Sequence, residues 1–505
     1  MSAVQSPLFE PVHWLGTGFK ILDETQVPDR IFYVEVRSVE QALDAVRGMK
    51  TRAFGQVLAF LYSGALLARG HPNTDAEELR RRLVEMTQRF SSARPTFDFR
   101  GLGSFFQQWF DDLPSGSDPR EFIEDRACKL GKRIVRGRLA RARLAGSVLP
   151  NPARVLTHCN VSGELVALAQ CHRALGKAIT FIATETRPYL QGTRLTAWEL
   201  AEAGVSVSVI PDGAVAQVME RGEVNSVIVG ADRSAQNGDI INKVGTYPLA
   251  LMAKEYGVPF YALVQDPRSL TSGYAVPIEQ RPAAEVLTFQ GQSLIDPVSA
   301  KLNARYPAFD VTPAELITQM ISFDRIYTPD TFRHKYQRVQ DRQICPSERR
   351  GKYVLVYGIP PHNQYAFLAK ALQAEEAENV LVPEMRPQLW GAKIVAPELL
   401  KRNMGATLIS DNMMGTLFAQ REVRRVCLYY DTLTDEGVSA ICGSLLAVRL
   451  ARLHNVPIEL LPGAKPRDIP EDLDASTFLG RNICPPRVGI QPVGAEIVSW
   501  SLLKS

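Results

Sequence analysis

The chain runs twice through the same succession of segments, about 199 residues apart. The matched pairs are RVLTHCN (154–160) with YVLVYGI (353–359), ETRPYLQG (185–192) with EMRPQLWG (384–391), SVIPDGAV (208–215) with TLISDNMM (407–414), EVNSVIVGAD (223–232) with EVRRVCLYYD (422–431), and 250–263 with 448–461. The offset is 199 residues in the first pairs and 198 in the last. Chance pairing of generic segments would not hold so constant an offset. The sequence therefore predicts one type of domain present twice in tandem.

The repeated segment has the pattern of an α/β domain. Short apolar runs rich in Val and Ile, such as SVIVG (226–230), alternate with helical patterns such as YPLALMAKEYG (247–257). Continuous apolar strands that alternate with helices favour a buried parallel sheet with right-handed crossovers. We predict an α/β fold in which a helical N-terminal domain precedes two tandem Rossmann-like parallel-sheet domains, the second a degenerate repeat.

Polar joints and periodic patterns divide the chain further. The predicted parts are a mainly helical N-terminal domain (1–115), a long basic connecting helix (116–150), a Rossmann-like domain (151–335), a polar linker (336–352) and the degenerate repeat (353–505). A chain that is 45% hydrophobic has enough apolar surface to fold cores of this kind, which excludes bulk disorder.

Charge and cysteine content exclude several classes of protein. A net charge of +4 from 58 basic and 54 acidic residues is too even for a dedicated nucleic-acid binder. No apolar run is long enough for a membrane span, and the N-terminus lacks a secretory signal pattern. The seven cysteines form no CxxC pair, which argues against a zinc site and favours free thiols in a cytoplasmic protein.

The predicted connecting helix is rich in basic residues. They are Lys129, Lys132, Arg133, Arg136, Arg138, Arg141 and Arg143. A solvated helix face is the favoured interpretation, and binding to nucleic acid or another polyanion is the less favoured one.

Three groups of polar residues follow predicted strands, where open α/β sheets bind their ligands. They are Cys159-Asn160 after RVLTH, Asp232 after SVIVG, and Arg187 with Gln191 in a turn after AITFIATE. Asn242-Lys243 and Gly245-Thr246 come next, at the predicted start of a helix, where backbone N–H groups and a lysine suit a phosphate.

A thiol and a carboxyl group at adjacent strand ends can act as a proton-transfer pair. Burial would raise the pKa of Asp232, and a nearby cation or helix terminus would lower the pKa of Cys159. For either residue alone, the plainer interpretation is a buried small side chain for Cys159 and a turn cap for Asp232.

Several longer strings resemble one known family. The strings are THCN, ETRPYLQGTRLTAWEL, VGADRSAQNGDIINKVGTYPLA, VPIEQR and YPAFDVTPAELI, with PVHW, LDETQVP and ARPT nearer the N-terminus. Over about residues 11–335 the chain is similar to the aldose-ketose isomerases related to translation initiation factor 2B, which include methylthioribose-1-phosphate isomerase and ribose-1,5-bisphosphate isomerase.

The resemblance implies roles for nine residues. Cys159 and Asp232 would be the catalytic pair, and the substrate-binding residues would be Arg52, Ala53, Phe54, Arg94, Gln191, Asn242 and Lys243. It implies that the domain 151–335 is catalytic and that the domain 1–115 covers the substrate. It also implies a sugar phosphate as the small-molecule partner, and neither a metal nor a cofactor. Asp232 would protonate the ring oxygen of a ribose 1-phosphate, and Cys159 as thiolate would move the C2 proton to C1. A hydride shift stays open.

The chain departs from the family in two places. RAFGQVL (52–58) stands where methylthioribose-1-phosphate isomerases usually read RGAPAIG, so we expect a sugar whose 5-substituent differs from methylthio. In the second copy, Gly358 stands opposite Cys159 and Trp390 opposite Gln191, while Ala440 and Ile441 replace Asn242 and Lys243. That copy is therefore predicted to be catalytically inactive.

Two further expectations follow from the resemblance. Because the family associates through this domain, the copies are expected to form an intrachain pseudo-dimer, or else the chain forms a homodimer. The alternative function is a non-catalytic regulatory or binding protein like the initiation factor 2B subunits. A dinucleotide-dependent oxidoreductase is disfavoured, since no GxGxxG follows a strand in either copy.

Overall fold

The computed structural model describes residues 4–70, 75–95, 97–295, 299–337, 351–464 and 474–504. An N-terminal segment comes first, and its three strands form a small antiparallel sheet beside four helices. The bounds are β1 (Val12–Trp14), β2 (Phe19–Leu22), β3 (Tyr33–Val36), α1 (Val39–Arg47), α2 (Ala53–Arg69), α3 (Ala76–Ala93) and α4 (Phe99–Asp111). Helix α5 (Pro119–Val148) follows and packs on α2.

We call residues 151–337 the first unit. Its strands are β4 (Ala153–Thr157), β5 (Ile179–Thr184), β6 (Val207–Ile210), β7 (Ser226–Gly230), β8 (Arg233–Ser234), β9 (Ile240–Lys243), β10 (Phe260–Leu263), β11 (Thr288–Phe289), β12 (Gln292–Ser293), β13 (Leu302–Ala304), β14 (Phe309–Thr312), β15 (Gln319–Ile321) and β16 (Ile326–Tyr327). Its helices are α6 (Glu164–Ala174), α7 (Trp198–Glu202), α8 (Val215–Glu220), α9 (Thr246–Glu255), α10 (Ala284–Leu287) and α11 (Pro329–Tyr336), with a π-helix over Gly192–Ala197.

The first unit is built on one large sheet. Its own strands have the order β16-β15-β10-β7-β4-β5-β6, and they are parallel except for the β15–β16 pair. Buried apolar strands under helices confirm the predicted α/β class. The parallel register brings the carboxyl ends of β4, β5 and β7 to one edge of the sheet.

We call residues 351–504 the second unit. Its strands are β17 (Tyr353–Tyr357), β18 (Asn379–Pro383), β19 (Ala406–Ile409), β20 (Val423–Tyr430), β21 (Thr432–Leu433), β22 (Gly437–Ala440), β23 (Ile458–Pro462), β24 (Thr477–Phe478), β25 (Arg481–Asn482), β26 (Gly489–Ile490) and β27 (Glu496–Ser499). Its helices are α12 (Tyr365–Ala374), α13 (Ala396–Lys401), α14 (Met414–Ala419), α15 (Ser444–Leu453) and α16 (Trp500–Lys504), with a π-helix over Gly391–Val395.

The second sheet has the strand order β13-β19-β18-β17-β20-β23, and all of its pairs are parallel. Its edge strand β13 comes from the first unit, while β26 of the second unit pairs with β6 at the edge of the first sheet. The two units therefore exchange an edge strand, which the sequence pattern did not predict.

The units meet through two buried ion pairs of the same kind. The Arg187 guanidinium donates to Glu384 at 2.8 and 2.9 Å, and the Arg386 guanidinium donates to Glu185 at 2.9–3.1 Å. All four side chains are at most 2% exposed, and both guanidinium groups lie over the ring of Phe478. Such pairs need each partner in place, because removing one leaves a buried charge uncompensated.

The basic residues of α5 divide into two sets. Five of them are exposed, as a solvated face would be: Lys129, Lys132, Arg133, Arg136 and Arg143. Arg138 and Arg141 are instead buried, and both donate to the carboxylate of Glu164. The solvated-face prediction is therefore wrong for these two arginines, which join α5 to α6.

Most of the predicted linker, residues 338–350, lies outside the described residues. Among the helices of the described ranges, none has the length and hydropathy needed to cross a membrane.

Candidate active site

A cavity of about 600 Å³ lies between the N-terminal segment, α5 and the carboxyl edge of the first sheet. The structure brings all nine predicted site residues to its wall: Arg52, Ala53, Phe54, Arg94, Cys159, Gln191, Asp232, Asn242 and Lys243. They come from the ends of β4, β5 and β7, from β9, and from the N-terminal segment. A volume of this size is typical of a small-molecule site.

Cys159 follows β4 and has a left-handed backbone, with φ of 65°. Its N–H donates to the hydroxyl of Thr186 at 2.9 Å, and its carbonyl accepts from the hydroxyl of Thr196 at 2.6 Å. A left-handed backbone is costly for a residue other than glycine and persists where the surroundings hold it in place. The strand end therefore fixes the position of the thiol.

Burial raises the pKa of the Cys159 thiol to about 11, although the positive charge of Lys243 acts in the opposite direction. The sequence-based expectation that a neighbouring cation brings this pKa below its ordinary value is wrong. Desolvation of the thiolate outweighs the attraction of the lysine. The surroundings of Cys159 therefore favour the neutral thiol at pH 7.

Asp232 follows β7 and lines the same cavity. The side-chain amide of Gln265 donates to the carbonyl oxygens of Ala231 and Asp232 at 3.1 and 3.0 Å, which holds this strand end. Burial raises the pKa of Asp232, against the charges of Lys243 and Arg94. The direction is the one expected for a carboxyl group that keeps its proton.

The structure corrects the predicted phosphate site at a helix start. Asn242 and Lys243 belong to strand β9, and the helix α9 begins only at Thr246. The N–H groups of Gly245 and Tyr247 at that start donate to the carboxylate of Asp310 at 2.7 and 3.1 Å. A carboxylate of the chain therefore already takes the donors that we expected to bind a phosphate.

Lys243 itself is buried and faces the cavity. Its ammonium lies 4.9 Å from the ring centre of Phe309, and burial lowers its pKa. Asn242 beside it donates to the hydroxyl of Thr246 at 2.8 Å. The side chains of β9 thus supply the cavity with a cation and an amide.

Of the two candidate residues in the turn after β5, Gln191 lines the cavity and Arg187 does not. Gln191 lines the cavity, and its buried Oε1 has no hydrogen-bond partner within the described ranges. Arg187 points to the second unit, where it pairs with Glu384. It is therefore not part of the cavity, although its position after the strand placed it among the candidates.

The N-terminal segment contributes two arginines. Arg52 immediately precedes α2, and Arg94 immediately follows α3, where it pairs with Glu279 at 3.5 Å. The Nε atoms of both arginines are buried without an acceptor in the part of the chain that the structure describes. Buried donors of this kind are uncommon and need a partner, which a bound ligand can supply.

Ala53 and Phe54 open helix α2 at the cavity wall. Ala53 has φ of 36°, and the ring centre of Phe54 lies 4.0 Å from the Arg138 guanidinium. Phe54, which replaces a smaller residue of the similar isomerases, therefore stacks on a buried arginine of α5.

Sequence reasoning missed one residue that supports the site. Glu199 is buried and accepts from the side chain of Asn160 at 2.8 Å and from the backbone N–H of Gly163 at 3.3 Å. Burial raises its pKa to about 7. Glu199 lies within the string that carried the resemblance, but nothing in its spacing marked it as a partner of the Cys159 loop.

The sequence matches the model of a known protein family. The Initiation factor 2 subunit family matches residues 47–323 and 341–460, which together are most of the chain. The chain therefore belongs to the initiation factor 2 subunit family.

Its similar relatives include named enzymes. Methylthioribose-1-phosphate isomerase of Desulforudis audaxviator is 35% identical over 338 residues, which span 63% of this chain and 94% of that protein. The enzyme of the same name from Thioalkalivibrio sulfidiphilus is 38% identical over 332 residues, or 62% of this chain and 91% of that protein. The crystal structure of 5-methylthioribose 1-phosphate isomerase from Pyrococcus horikoshii superposes with a TM-score of 0.57 at 29% identity, covering 64% of this chain and 93% of that one. Within its family the chain is accordingly an enzyme of the isomerase type.

Proposed function

We propose that the chain is an aldose-ketose isomerase that converts a 5-substituted ribose 1-phosphate into the ribulose 1-phosphate. The observation that carries the proposal is the set of buried polar atoms at the cavity without partners among the described residues. They are Nε of Arg52, Nε of Arg94 and Oε1 of Gln191. Two donors and one acceptor around a thiol and a carboxyl group suit a phosphorylated polyol.

Positive charges support the position proposed for the phosphate. Arg52, Arg94 and Lys243 are the cations that act on the proposed catalytic pair. An Arg or Lys beside a phosphate forms charge-assisted hydrogen bonds, which are stronger than neutral ones. The three side chains would bind the 1-phosphate, while Gln191 and Asn242 would bind sugar hydroxyl groups.

The chemistry begins with ring opening. Asp232 donates its proton to the ring oxygen, and the bond between C1 and that oxygen breaks, which leaves a positive charge shared by C1 and the phosphate-bearing oxygen until the C2 proton is lost. Cys159 then removes the proton from C2 and returns it to C1, while the C2 hydroxyl proton passes to the Asp232 carboxylate. The thiol must first lose its own proton to water, and Lys243 and Arg52 are the cations that act to lower its pKa.

The 5-substituent is proposed to differ from methylthio. Around the polar end, the cavity is lined by apolar side chains of the N-terminal segment and α5, among them Phe54, Phe97, Phe105 and Ile134. Phe54 replaces a smaller residue of the similar isomerases, so it changes the shape of the cavity wall that would contact this substituent.

The second unit is proposed to be a degenerate copy that acts as an intrachain partner. Several features support this assignment. Gly358 has the left-handed backbone of Cys159, Asp411 accepts from the N–H groups of Met385 and Arg386 as Asp212 accepts from those of Thr186 and Arg187, and each unit has a π-helix after its second strand. The thiol is absent at Gly358, so this copy is proposed to be inactive.

The substrate can be tested directly by NMR. Full-length protein would be incubated with methylthioribose 1-phosphate, ribose 1,5-bisphosphate and 5-deoxyribose 1-phosphate, and the carbonyl of a ketose 1-phosphate would be followed. Turnover of at least one sugar is expected, and a clear preference for methylthioribose would refute the proposed difference at the 5-position. No product from any of them would contradict the proposed reaction.

Deuterium at C2 of the substrate distinguishes proton transfer from a hydride shift. Proton transfer through Cys159 exposes the label to solvent exchange, so the product is expected to lose part of it at C1. Complete retention in every turnover would indicate a hydride shift instead.

A further inference from the structure

The second unit contacts the back of the cavity wall through Asn412. We propose that Asn412 and Glu384 are positioning residues for the first unit's active site, so that the site is complete only with the second unit in place. The inference rests on the site described under the proposed function, but it concerns residues of the second unit.

Arg187 is the point where the second unit reaches the first. Its guanidinium pairs with Glu384, and its carbonyl accepts from Nδ2 of Asn412 at 2.9 Å. The hydroxyl of Ser410 donates to Oδ1 of Asn412 at 2.7 Å, which orients the amide. Asn412 and Glu384 are both buried, so water does not compete for these contacts.

The contact passes through one residue to the proposed catalytic thiol. Thr186 precedes Arg187, has φ of 59°, and accepts the N–H of Cys159. Gln191 ends the same turn on the cavity side. Two residues with left-handed backbones, Cys159 and Thr186, are thus joined by a hydrogen bond beside the residue that the second unit holds.

A second close approach of Asn412 is to Gly245, which has φ of +107° and follows the cavity-lining residue Lys243 by two positions. A Cβ atom there would lie 2.9 Å from Cβ of Asn412 and 2.7 Å from the ring of His158. His158 immediately precedes Cys159. Packing this close transmits displacement, since interiors of normal density cannot absorb a shift without moving neighbours.

The mirror position provides a matched control. In the second unit Tyr357 takes the place of His158, and its hydroxyl donates to the carbonyl of Cys442 at 2.9 Å. Gly213 takes the place of Asn412 and lies against Gly443. None of these residues lines the cavity, so Tyr357→Phe removes one buried hydrogen bond without touching the wall.

The test compares Asn412→Ala and Tyr357→Phe in the full-length chain. The first readout is the peptide-resolved rate of Cys159 alkylation by iodoacetamide, measured against pH without substrate. The second is kcat and KM at a temperature where both variants are folded.

Asn412→Ala is expected to change the Cys159 alkylation rate several-fold and to lower kcat by about ten- to a hundredfold, with a smaller effect on KM, because a small displacement of reacting groups is costly. Tyr357→Phe is expected to change neither. If Asn412→Ala does not fold, Ser410→Ala removes the hydroxyl that orients the amide and is expected to act in the same direction.

Equal alkylation profiles for wild type, Asn412→Ala or Ser410→Ala, and Tyr357→Phe would overturn the proposal. The alkylation readout needs no substrate. It therefore decides the positioning role even if the wild type turns over none of the sugars tested, which would count against the proposed reaction alone.

Discussion

At the scale of single residues, the site is governed by desolvation of ionisable groups rather than by their charges. Cys159, Asp232 and Lys243 are close enough to shift one another, yet for each of them burial is the largest cause of the pKa shift. All three shifts favour the neutral form. Burial therefore acts against the charged form of each of these three groups, and an anionic phosphate beside Lys243 would act in the opposite direction on the lysine.

The Cys159 thiol gives a direct prediction. Because its pKa is raised to about 11, alkylation at pH 7 is expected to be slow and to rise with pH beyond 9, without a plateau near pH 8. Peptide mass spectrometry after timed iodoacetamide pulses measures this rate. A plateau between pH 7 and 9 would show that Lys243 prevails over burial, contrary to this account.

At the scale of elements, two buried carboxylates connect the loops and helices around the site. Glu164 holds Arg138 and Arg141 of α5, and Glu199 of α7 holds the loop that follows Cys159. Each joins elements that are far apart in the sequence. Replacing Glu164 tests its contribution to the free energy of unfolding, and replacing Glu199 tests how that free energy depends on pH.

Glu164→Gln is expected to lower the free energy of unfolding by about 3–5 kcal/mol, because it leaves two buried guanidinium groups beside a neutral amide. Chemical denaturation measures the loss. The control is Glu78→Gln on α3, where a partly exposed glutamate also contacts two arginines, and where a much smaller loss is expected. Equal effects of the two substitutions would contradict a buried network.

Glu199 predicts a stability that depends on pH. Its pKa is about 7 in the folded chain against 4.5 for the ordinary group, so the folded state keeps the proton while the unfolded state loses it. Stability from this group therefore falls as the pH rises from about 4.5 to about 7, by roughly 3 kcal/mol in total.

Glu199→Gln cannot ionise and removes this contribution. The difference in free energy of unfolding between wild type and the variant is expected to shift in favour of the variant between pH 5 and pH 8. Parallel curves over that range would show that the carboxyl is ionised in the folded chain. The comparison cancels the other titrating groups, which both proteins share.

Sequence patterns predicted those elements that carry a signal of their own. The parallel strands were predicted from their apolar runs, and most of the cavity residues were found because they follow those runs in the sequence. Asp310 was missed because it occupies the start of α9 from a strand more than 60 residues later, which no local pattern reveals. The exchanged strands β13 and β26 were missed because they have only three and two residues. Burial of Arg138 and Arg141 depended on Glu164, which is distant in sequence.

At the scale of the whole molecule, the two units behave as partners within one chain. The reciprocal ion pairs and the exchanged edge strands join the two units to each other. Linking partners in one chain makes their association intramolecular and independent of protein concentration.

The chain is therefore expected to be a monomer. Light scattering over a range of concentrations is predicted to give a mass near 56.0 kDa throughout. A mass near twice that value at micromolar concentration would show that the second unit does not replace a separate subunit.

Cys159 and Asp232 are proposed to carry out an isomerisation in the cavity of the first unit. The most direct measurement is the initial rate of ketose 1-phosphate formation by the wild type, Cys159→Ser, Asp232→Asn and the control Cys484→Ser, on the sugar that the wild type turns over best. We predict that the first two substitutions lower kcat by about 10²–10⁴-fold, the usual contribution of a proton-transfer group, and that the control changes it little. Turnover near the wild-type rate in Cys159→Ser or Asp232→Asn would contradict the account.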